Sequence, residues 1–514
     1  MTKFADFHIH LSLKHLINKG EEGRKDIWDS IRYNPSKHKP KRASSDKYDQ
    51  SDLSLLVDEN VKMAVIALHP VEVIVRKSWV NRLIGKFIFG FELDRLKKWA
   101  QDSVKSFSIL NRELEVVFSL PDKDDYRKNF PSHLAKGNRR AIFPTNADEL
   151  NDEETTKLFL SVEGAHALSN LPFEAQGEEL EKEVLKNLHH LQYERNIPIF
   201  SLTLCHFANN YLFKQSWALP LPKVVDFLKI PGKDLLESQE EPINKHGLKV
   251  IDQCLDPSKG KRILIDTKHL HIDARYVYYQ LLLDKGPNPL DTSENPSEYY
   301  APIIASHSGV SGMRNKEEAL QVGRAKREGH KNKYQRFNPW EINICDEELP
   351  IIMKSKGMIG ISLDQRILGT ENNDYVKAVC NHLKDKYGKV TWRKMGKAKR
   401  TEMIHAALFL DNLLYIVHKM GSEKAWDCIC IGSDFDGVID PIDCCPTVSY
   451  FSSFEKLLVD DFDKLRYKAE EEIYIPNGKS LQTLFRGVFY DNLERFIKDN
   501  FCCLPSSVPL ESIS

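Results

Sequence analysis

The sequence has 514 residues, with 73 Lys and Arg against 74 Asp and Glu, so its formal net charge at pH 7 is −1. This balance gives no global electrostatic reason to expect a nucleic acid or an anionic membrane as partner. Hydrophobic residues make up 41% of the chain and charged residues 29%, values that argue against disordered, collagen-like and coiled-coil classes of protein.

Eight short runs rich in β-branched and apolar residues recur along the chain, at positions 3–10, 61–69, 157–163, 197–206, 262–269, 302–307, 358–364 and 428–434. Most of them are continuously apolar, a pattern typical of strands that are buried on both faces. Helix-length segments separate these runs, and two of them place apolar residues on one face: Leu180, Val184, Leu188 and Leu191 within 178–195, and Leu96, Trp99, Val104 and Phe107 upstream. The alternation predicts an α/β fold, a closed (β/α)8 barrel of the TIM type.

Two further strand-like runs, at 114–120 and 141–143, exceed this count and are assigned to an insertion. Segments rich in Pro, Ser, Asn and charge predict long loop insertions, either functional covers or flexible surface, at about 34–52, 121–140, 284–299 and 315–338. Because candidate site residues are spread from position 8 to position 434, we predict a single barrel domain over 1–514. Its core strands fall within 3–434, and a C-terminal helical extension covers about 441–514.

The first run ends in His8-Ile9-His10. Side chains two positions apart in an extended strand point to the same side, so both imidazoles could bind one cation. The motif alone is weak, because His269-Leu270-His271 repeats it in the same chain. Its position at the end of an apolar run favours a metal site, and ordinary core histidines are the alternative.

The third run ends in Ser161-Val162-Glu163, followed by Gly164. A carboxylate at the end of a buried strand is costly to bury without compensation, so a metal ion or a cationic partner is expected. A helix-capping or salt-bridged glutamate fits this segment equally well. His166, which follows, is predicted to pack or to support the site.

In six of these runs we single out a residue at or near the end that is able to bind a metal or move a proton. Beyond those above, these residues are His206, His269, His307 and Asp434. The carboxyl ends of barrel strands converge on one mouth, so residues far apart in sequence would meet there. Each histidine taken singly is more simply explained as a core residue. The distribution over several strand ends is more specific than any single motif.

Together the motifs resemble the renal, or membrane, dipeptidase family of metallopeptidases within the wider amidohydrolase group. The resemblance spans nearly the whole chain in the same order: the N-terminal metal motif, 162–164 with 166–168, 202–204 before His206, 265–266 before His269, 306–308, 432–437 and a closing Asn-Leu-Glu-Arg segment at 492–495.

The resemblance implies a barrel with two divalent metal ions, expected to be zinc. Its implied ligands are His8 and His10 for the first ion, Glu163 bridging both, and His269 with His307 for the second. Asp434 would transfer the proton, and His206 would contact the substrate near the scissile carbonyl. The family usually has His-x-Asp where this chain has His8-x-His10, a change that removes a negative charge and should alter metal preference and the acidity of the bound water.

The same resemblance implies an arginine that holds the terminal carboxylate of the substrate. Arg314, followed by Asn315, has the expected spacing from His307, and Arg336 is a rival because an insertion has split the region. That insertion carries more Lys and Arg than Glu, which predicts either an anion-attracting lid or a solvated loop, the latter favoured.

The favoured prediction is therefore a metal-dependent dipeptidase acting on a small dipeptide-like substrate, with a homodimer as one assembly that the resemblance allows. A related two-metal hydrolase acting on a lactone, a cyclic amide or an amino group is the second reading, kept open by the His-x-His motif. A catalytically silent metal-binding barrel is the third, and the presence of Asp434 argues against it.

Targeting signals are absent from the sequence as it stands. No run reaches the roughly 18 apolar residues of a membrane helix, and the N-terminus has no apolar signal segment, which predicts a cytoplasmic protein with no transmembrane segment. The ten cysteines, with no C-x-x-C, are predicted to be reduced thiols.

Overall fold

The structure, a computed structural model, describes residues 2–17, 26–30, 50–71, 105–118, 131–172, 174–216, 239–259, 261–327 and 336–501. Its strands are β1 (Phe4–Ile9), β2 (Val61–Leu68), β3 (His133–Lys136), β4 (Arg139–Ile142), β5 (Thr156–Glu163), β6 (Ile199–Thr203), β7 (Leu264–Asp266), β8 (Ile304–Ser308), β9 (Met358–Ile361) and β10 (Ile429–Ile431). Eight of them form a nearly closed parallel barrel in the order β1-β2-β5-β6-β7-β8-β9-β10. The remaining pair, β3 and β4, is an antiparallel hairpin whose second strand also pairs with β5.

The barrel is completed where the chain leaves β10 and meets the end of β1. The main-chain amide of Asp434 donates to the carbonyl of His8 at 2.9 Å, and that of His10 donates to the carbonyl of Phe435 at 2.9 Å. Ile9 and Phe435 form a parallel bridge at the same place. The contact that closes the barrel therefore also joins the first and last candidate site segments.

Helices surround the barrel and extend beyond its last strand. The α-helices of the described residues are α1 (Leu13–Ile17), α2 (Leu53–Asp58), α3 (Ser106–Val117), α4 (Ala147–Asn151), α5 (Gly177–His189), α6 (Lys245–Leu255), α7 (Ile272–Asp284), α8 (Lys316–Arg327), α9 (Glu348–Lys354), α10 (Gln365–Leu368), α11 (Asn373–Tyr387), α12 (Lys389–Lys394), α13 (Lys397–Met420), α14 (Phe451–Asp460), α15 (Phe462–Leu465), α16 (Leu481–Arg486) and α17 (Asn492–Asn500). Short 3-10 turns cover Ala165–Leu168, Pro257–Lys259, Glu423–Cys428 and Val448–Tyr450, and π-helical turns continue α5 over His190–Glu194 and α16 over Gly487–Asp491.

One apolar cluster fills the inside of the barrel. It takes at least one residue from each of the eight barrel strands, which is possible only in the interior, and it also contains Leu493, Phe496 and Ile497 of α17. Phe496 packs edge-on against Phe7 of β1, with ring centroids 5.9 Å apart. The C-terminal helix therefore plugs the end of the barrel that carries the strand N-termini, and the opposite end is left for polar residues.

The eight predicted barrel strands and the α/β class are confirmed, with strand ends trimmed by a few residues. The predicted helix at 178–195 is also confirmed, and run 141–143 falls largely in β4. The strand expected at 114–120 is wrong, because residues up to 117 continue α3 with apolar side chains at helical spacing. Periodicity could not separate these two outcomes in so short an apolar run.

Several predictions fall on residues that the structure does not describe. These are Leu96, Trp99 and Val104 of the upstream helix, most of the insertion at 34–52, positions 121–130 and 328–335 of two others, and Cys502 and Cys503. The described cysteines are all free thiols. No helix in the described part of the chain has the length and apolar character needed to cross a membrane.

Candidate metal centre

Every strand of the barrel contributes an ionisable side chain at or just beyond its carboxyl end. In barrel order these are His8 and His10, His69, Glu163, His206, His269, His307, Asp364 and Asp434. This is the end at which barrel enzymes place their chemistry. The convergence expected from the strand ends is therefore present in the fold.

Glu163 lies at the centre of this arrangement and is only 2% exposed. Its Oε1 lies 3.2 Å from His269 Nε2 and 3.6 Å from His307 Nε2. Its Oε2 lies 3.5 Å from His10 Nε2. His8 Nε2 also lies 3.6 Å from Oε1. One carboxylate thus faces imidazoles from two parts of the barrel, the end of β1 and the ends of β7 and β8.

The first set is formed by the segments that close the barrel. His8 Nε2 and His10 Nε2 are 3.2 Å apart. Asp434 Oδ1 lies 3.4 Å from His10 Nε2 and 4.0 Å from His8 Nε2. We call His8, His10 and the facing oxygen of Glu163 the first side of the centre.

The second set comes from β7 and β8. His269 Nε2 and His307 Nε2 lie 3.2 Å apart and both face Oε1 of Glu163, and we call these three residues the second side. Ser306 Oγ lies 3.0 Å from His8 Nδ1 and 2.8 Å from His307 Nδ1. Since a hydroxyl oxygen has two lone pairs, it can accept from both Nδ1–H groups, which leaves both Nε2 lone pairs free to bind a cation.

The donor atoms of each side are close enough to share one cation. The ligand atoms of His8, His10 and Glu163 lie within 4.8 Å of one another, and so do those of Glu163, His269 and His307. Imidazole nitrogen and carboxylate oxygen are donors that zinc and other divalent transition metals accept. The residues present therefore fit a divalent metal centre.

The protonation states of three of the four imidazoles agree with this assignment. Burial, reinforced by neighbouring cationic groups, holds the pKa values of His8, His269 and His307 well below their usual range. For His10, burial lowers the pKa, but the carboxylates of Asp434 and Glu163 outweigh it and raise the pKa to about 9. Three of the four imidazoles are thus neutral, the form in which histidine binds a metal.

Two of the site residues occupy the left-handed region of backbone space. His269 has φ 67° and Asp434 has φ 63°, and neither is a glycine. Such backbone conformations cost free energy and are concentrated at active sites and ligand clamps. Here they turn the side chains that follow β7 and β10 into the mouth of the barrel.

His69 and His206 extend the cluster beyond the predicted ligands. Their rings pack 4.1 Å apart between centroids, and His206 lies 4.3 Å from the ring of His269. His69 Nδ1 lies 3.2 Å from the carbonyl oxygen of Glu163 and 3.5 Å from its Oε2. His69 was not among the predicted site residues, although it ends the second apolar run and so carries the same signal as the other strand-end residues.

Two further charged groups lie close to Asp434. Arg366, at the start of α10, pairs with Asp364 and acts electrostatically on Asp434. Lys268 is 2% exposed and its Nζ has no hydrogen-bond partner among the described residues. Neither residue was singled out from the sequence, because neither belongs to a recognisable motif.

The structure brings together His8, His10, Glu163, His206, His269, His307 and Asp434, but it places the two predicted arginines differently. The side chain of Arg314 is 81% exposed, and its Nε lies 3.3 Å from Glu318 Oε2. Arg336 is 15% exposed, and its guanidinium donates to both oxygens of Asp411 and both oxygens of Glu471. Arg336 is therefore already occupied by two carboxylates.

Replacing Arg336 with methionine is expected to lower the free energy of unfolding by about 3–5 kcal/mol, because it leaves the buried Asp411 carboxylate without its cation. Denaturant unfolding measures this change. The matched variant Arg314→Met should shift the free energy of unfolding by less than about 0.5 kcal/mol, since it alters an exposed side chain. Unchanged stability in Arg336→Met, with a raised KM, would instead favour the substrate role predicted from the sequence.

Comparison with known proteins adds to this description. No family model matches the sequence, and no curated protein is significantly similar to it. Among solved structures, the chain is similar to a metallopeptidase from Rhodobacter sphaeroides liganded with a phosphinate mimic of the dipeptide L-Ala-D-Ala, with a TM-score of 0.51 and 13% identity over 97% of this chain and 99% of that one. At this identity the likeness shows a shared fold.

Two other solved structures are similar to the chain at lower scores. The probable dipeptidase PvdM from Pseudomonas aeruginosa has a TM-score of 0.49 and 13% identity, over 98% of this chain and 95% of that one. The metallopeptidase named dipeptidase AC has a TM-score of 0.46 and 13% identity, over 97% of this chain and 99% of that one.

Proposed function

We propose that this protein is a metal-dependent dipeptidase that binds two divalent ions, with zinc as the expected element, and hydrolyses the peptide bond of a small dipeptide. The observation that carries the proposal is Glu163, a buried carboxylate that lies between two histidine pairs and faces both of them. A carboxylate shared between two sets of imidazoles is the ligand pattern of a two-metal site. His8 and His10 would hold one ion, and His269 and His307 the other.

The chemistry divides between the ions and the protein. When bound, two such ions would activate a water molecule and polarise the scissile carbonyl. Asp434, at the edge of the cluster, would accept the proton of that water on Oδ1 and pass it to the leaving amine. His206 would stabilise the negative charge that develops on the carbonyl oxygen.

The substrate carboxylate requires a cationic partner at the mouth. Arg314 and Arg336 remain the partners predicted from the sequence, and Arg366 is a third candidate because it lies within electrostatic range of Asp434. The Nε and Nη2 groups of Arg366 are occupied by Asp364 and by the carbonyl of Val438, and no hydrogen bond to Nη1 is found among the described residues. Arg366 can therefore offer Nη1 to a substrate while Asp364 holds the guanidinium in place.

A substitution at Gly437 tests whether catalysis depends on the exact position of the Asp434 carboxylate. A Cβ added at Gly437 would lie 2.1 Å from Asp434 Oδ1 and 2.7 Å from His10 Cδ2, so these side-chain atoms must move. We expect Gly437→Ala to lower kcat by roughly 100-fold, since a displacement near 1 Å at the reacting groups has about this effect. The fold should survive, because the displaced atoms are the ends of side chains.

The measurement is steady-state kinetics together with metal content and thermal unfolding of the same sample. Gly396→Ala is the matched control, because a Cβ there would meet no atom within 4 Å. Wild-type kcat in Gly437→Ala would show that the position of the Asp434 carboxylate does not limit the reaction.

A related two-metal hydrolase that acts on a lactone, a cyclic amide or an amino group is the second candidate. The observation that favours it is the imidazole at His10, which changes the charge of the ligand set from that of the dipeptidases the sequence resembles. A catalytically silent metal-binding barrel is the third. The left-handed backbone of Asp434 argues against it, since a silent barrel has no need to hold that carboxylate in a costly conformation.

A substrate panel tests the proposal against both alternatives. Purified protein is incubated with dipeptides of both configurations at the C-terminal residue, with lactones and cyclic amides, and with amines that can be deaminated. Chelator-sensitive release of free amino acids from dipeptides supports the proposal. Turnover of the other classes alone would move the assignment to the second candidate, and full metal loading without any turnover would move it to the third.

A further inference from the structure

Glu113 is a buried carboxylate that the proposed metal ligands do not include. It lies on α3, in the segment between β2 and β5, and is 0% exposed. Ser12 Oγ donates to its Oε1 at 2.8 Å, and no hydrogen bond reaches its Oε2 from the described residues. A buried carboxylate with an unpaired oxygen is costly, so a function for it has to be sought nearby.

Ser12, which bonds Glu113, follows the proposed metal ligand His10 by two positions in the chain. The Nδ1 atom of His10 is also buried without a hydrogen-bond partner in the described part of the chain. Burial raises the pKa of Glu113 to about 7, opposed by the Ser12 hydroxyl, the main-chain amide of His69 and the imidazole of His10. The side chains of Glu113 and His10 therefore interact electrostatically.

The charges of the first side show why such a carboxylate would matter. His8 and His10 are neutral donors when they bind a metal, and Glu163 is shared with the second side. Asp434, whose Oδ1 lies 3.4 Å from His10 Nε2, is assigned to proton transfer. The only carboxylate assigned to bind the ion on this side is therefore the one that is shared with the second side. A carboxylate behind a metal-binding histidine increases the basicity of the ring and fixes its orientation.

We propose that Glu113 is a charge-compensating and positioning residue for the first side of the centre. With a divalent cation at Nε2 of His10, Glu113 Oε2 accepts a hydrogen bond from Nδ1 of the same ring and supplies the negative charge that the imidazole lacks. Ser12 Oγ holds Glu113 in this position by donating a hydrogen bond to the other carboxylate oxygen, Oε1. This inference rests on the proposed function, because it assumes that His10 binds a metal.

A charge exchange between positions 10 and 113 tests the inference. Metal-free protein is titrated with Zn²⁺ in competition with a chromophoric chelator, which yields the two affinities without any activity assay. Glu113→Gln is expected to weaken one of the two sites by about 10–100-fold and to leave the other unchanged. The double variant His10→Asp with Glu113→Gln returns the negative charge to the ligand itself, and it should bind this ion more tightly than either single variant.

Two controls separate this effect from a general loss of structure. Glu181→Gln changes a different buried glutamate, which pairs with His246 far from the proposed ligands in sequence. This variant should leave both affinities unchanged. Thermal unfolding of the metal-free proteins should show no loss of stability in Glu113→Gln, because a buried charge has been removed.

Three results would overturn the inference. These are two unchanged affinities in Glu113→Gln, an equal loss at both sites, or a double variant that binds no better than the single ones. In each case the wild-type protein would still bind two ions and the proposed function would stand. A wild-type protein that binds no divalent cation would overturn the proposed function and this inference together.

Discussion

Replacing Asp434 with asparagine is expected to reduce kcat by about 10²–10⁴-fold, the contribution of a positioned acid–base residue. The asparagine amide has nearly the size of the carboxylate but cannot accept a proton. The carboxylate lies at the edge of the histidine cluster, with 14% of its side chain exposed against 1% for His8 and 2% for His10. We therefore expect both metal ions to stay bound in this variant.

The measurement is kcat together with metal content, both taken on the same preparation. Loss of turnover with about two ions retained supports a proton-transfer role for Asp434. If the variant loses turnover and also loses one of the two ions, Asp434 would be a metal ligand instead. Its grouping with His8 and His307 would also permit that role. Wild-type turnover in Asp434→Asn would show that another group moves the proton.

Glu163→Gln has the second large expected effect. The carboxylate of Glu163 faces the histidines of both sides of the centre, and the amide removes the charge that the two sides share. Because the change is made in the proposed shared ligand itself, we expect the affinity for both ions to fall by more than about 100-fold, the upper range for changes in groups that only support a ligand. Hydrolysis should fall to the limit of detection.

Glu348→Gln is the matched control for this variant. Glu348 is also a fully buried glutamate, but it pairs with Arg275 at 2.6 Å and takes no part in the cluster. Its replacement should lower the free energy of unfolding and leave metal content unchanged. If Glu163→Gln instead kept two ions, Glu163 could not be the shared ligand.

The strand ends were predictable because two independent constraints fall on the same residues. A barrel strand buried on both faces is continuously apolar, and a polar residue at its carboxyl end stands out from that background. Glu163, His307 and Asp434 were found in this way. His69 carries the same signal and was overlooked because it belongs to no motif.

Residues that support the centre from outside the strands could not be predicted. Glu113 lies in a helix that was assigned in part to a strand, and its contact with Ser12 depends on how α3 packs. The arginine that holds the substrate could not be predicted either. Whether Arg314, Arg336 or Arg366 faces the mouth is set by loop geometry and by pairing with carboxylates such as Asp411, and neither is visible in the spacing of one sequence.

We propose that Glu163 and the two histidine pairs hold two divalent ions that are required for hydrolysis. The most direct measurement is a titration of chelator-treated, metal-free protein with Zn²⁺, with ion binding and dipeptide hydrolysis followed in the same sample. We expect no hydrolysis in the metal-free protein and full hydrolysis once about two ions per chain are bound. Hydrolysis that persists in the metal-free protein, or that does not return when the ions are bound, would contradict it.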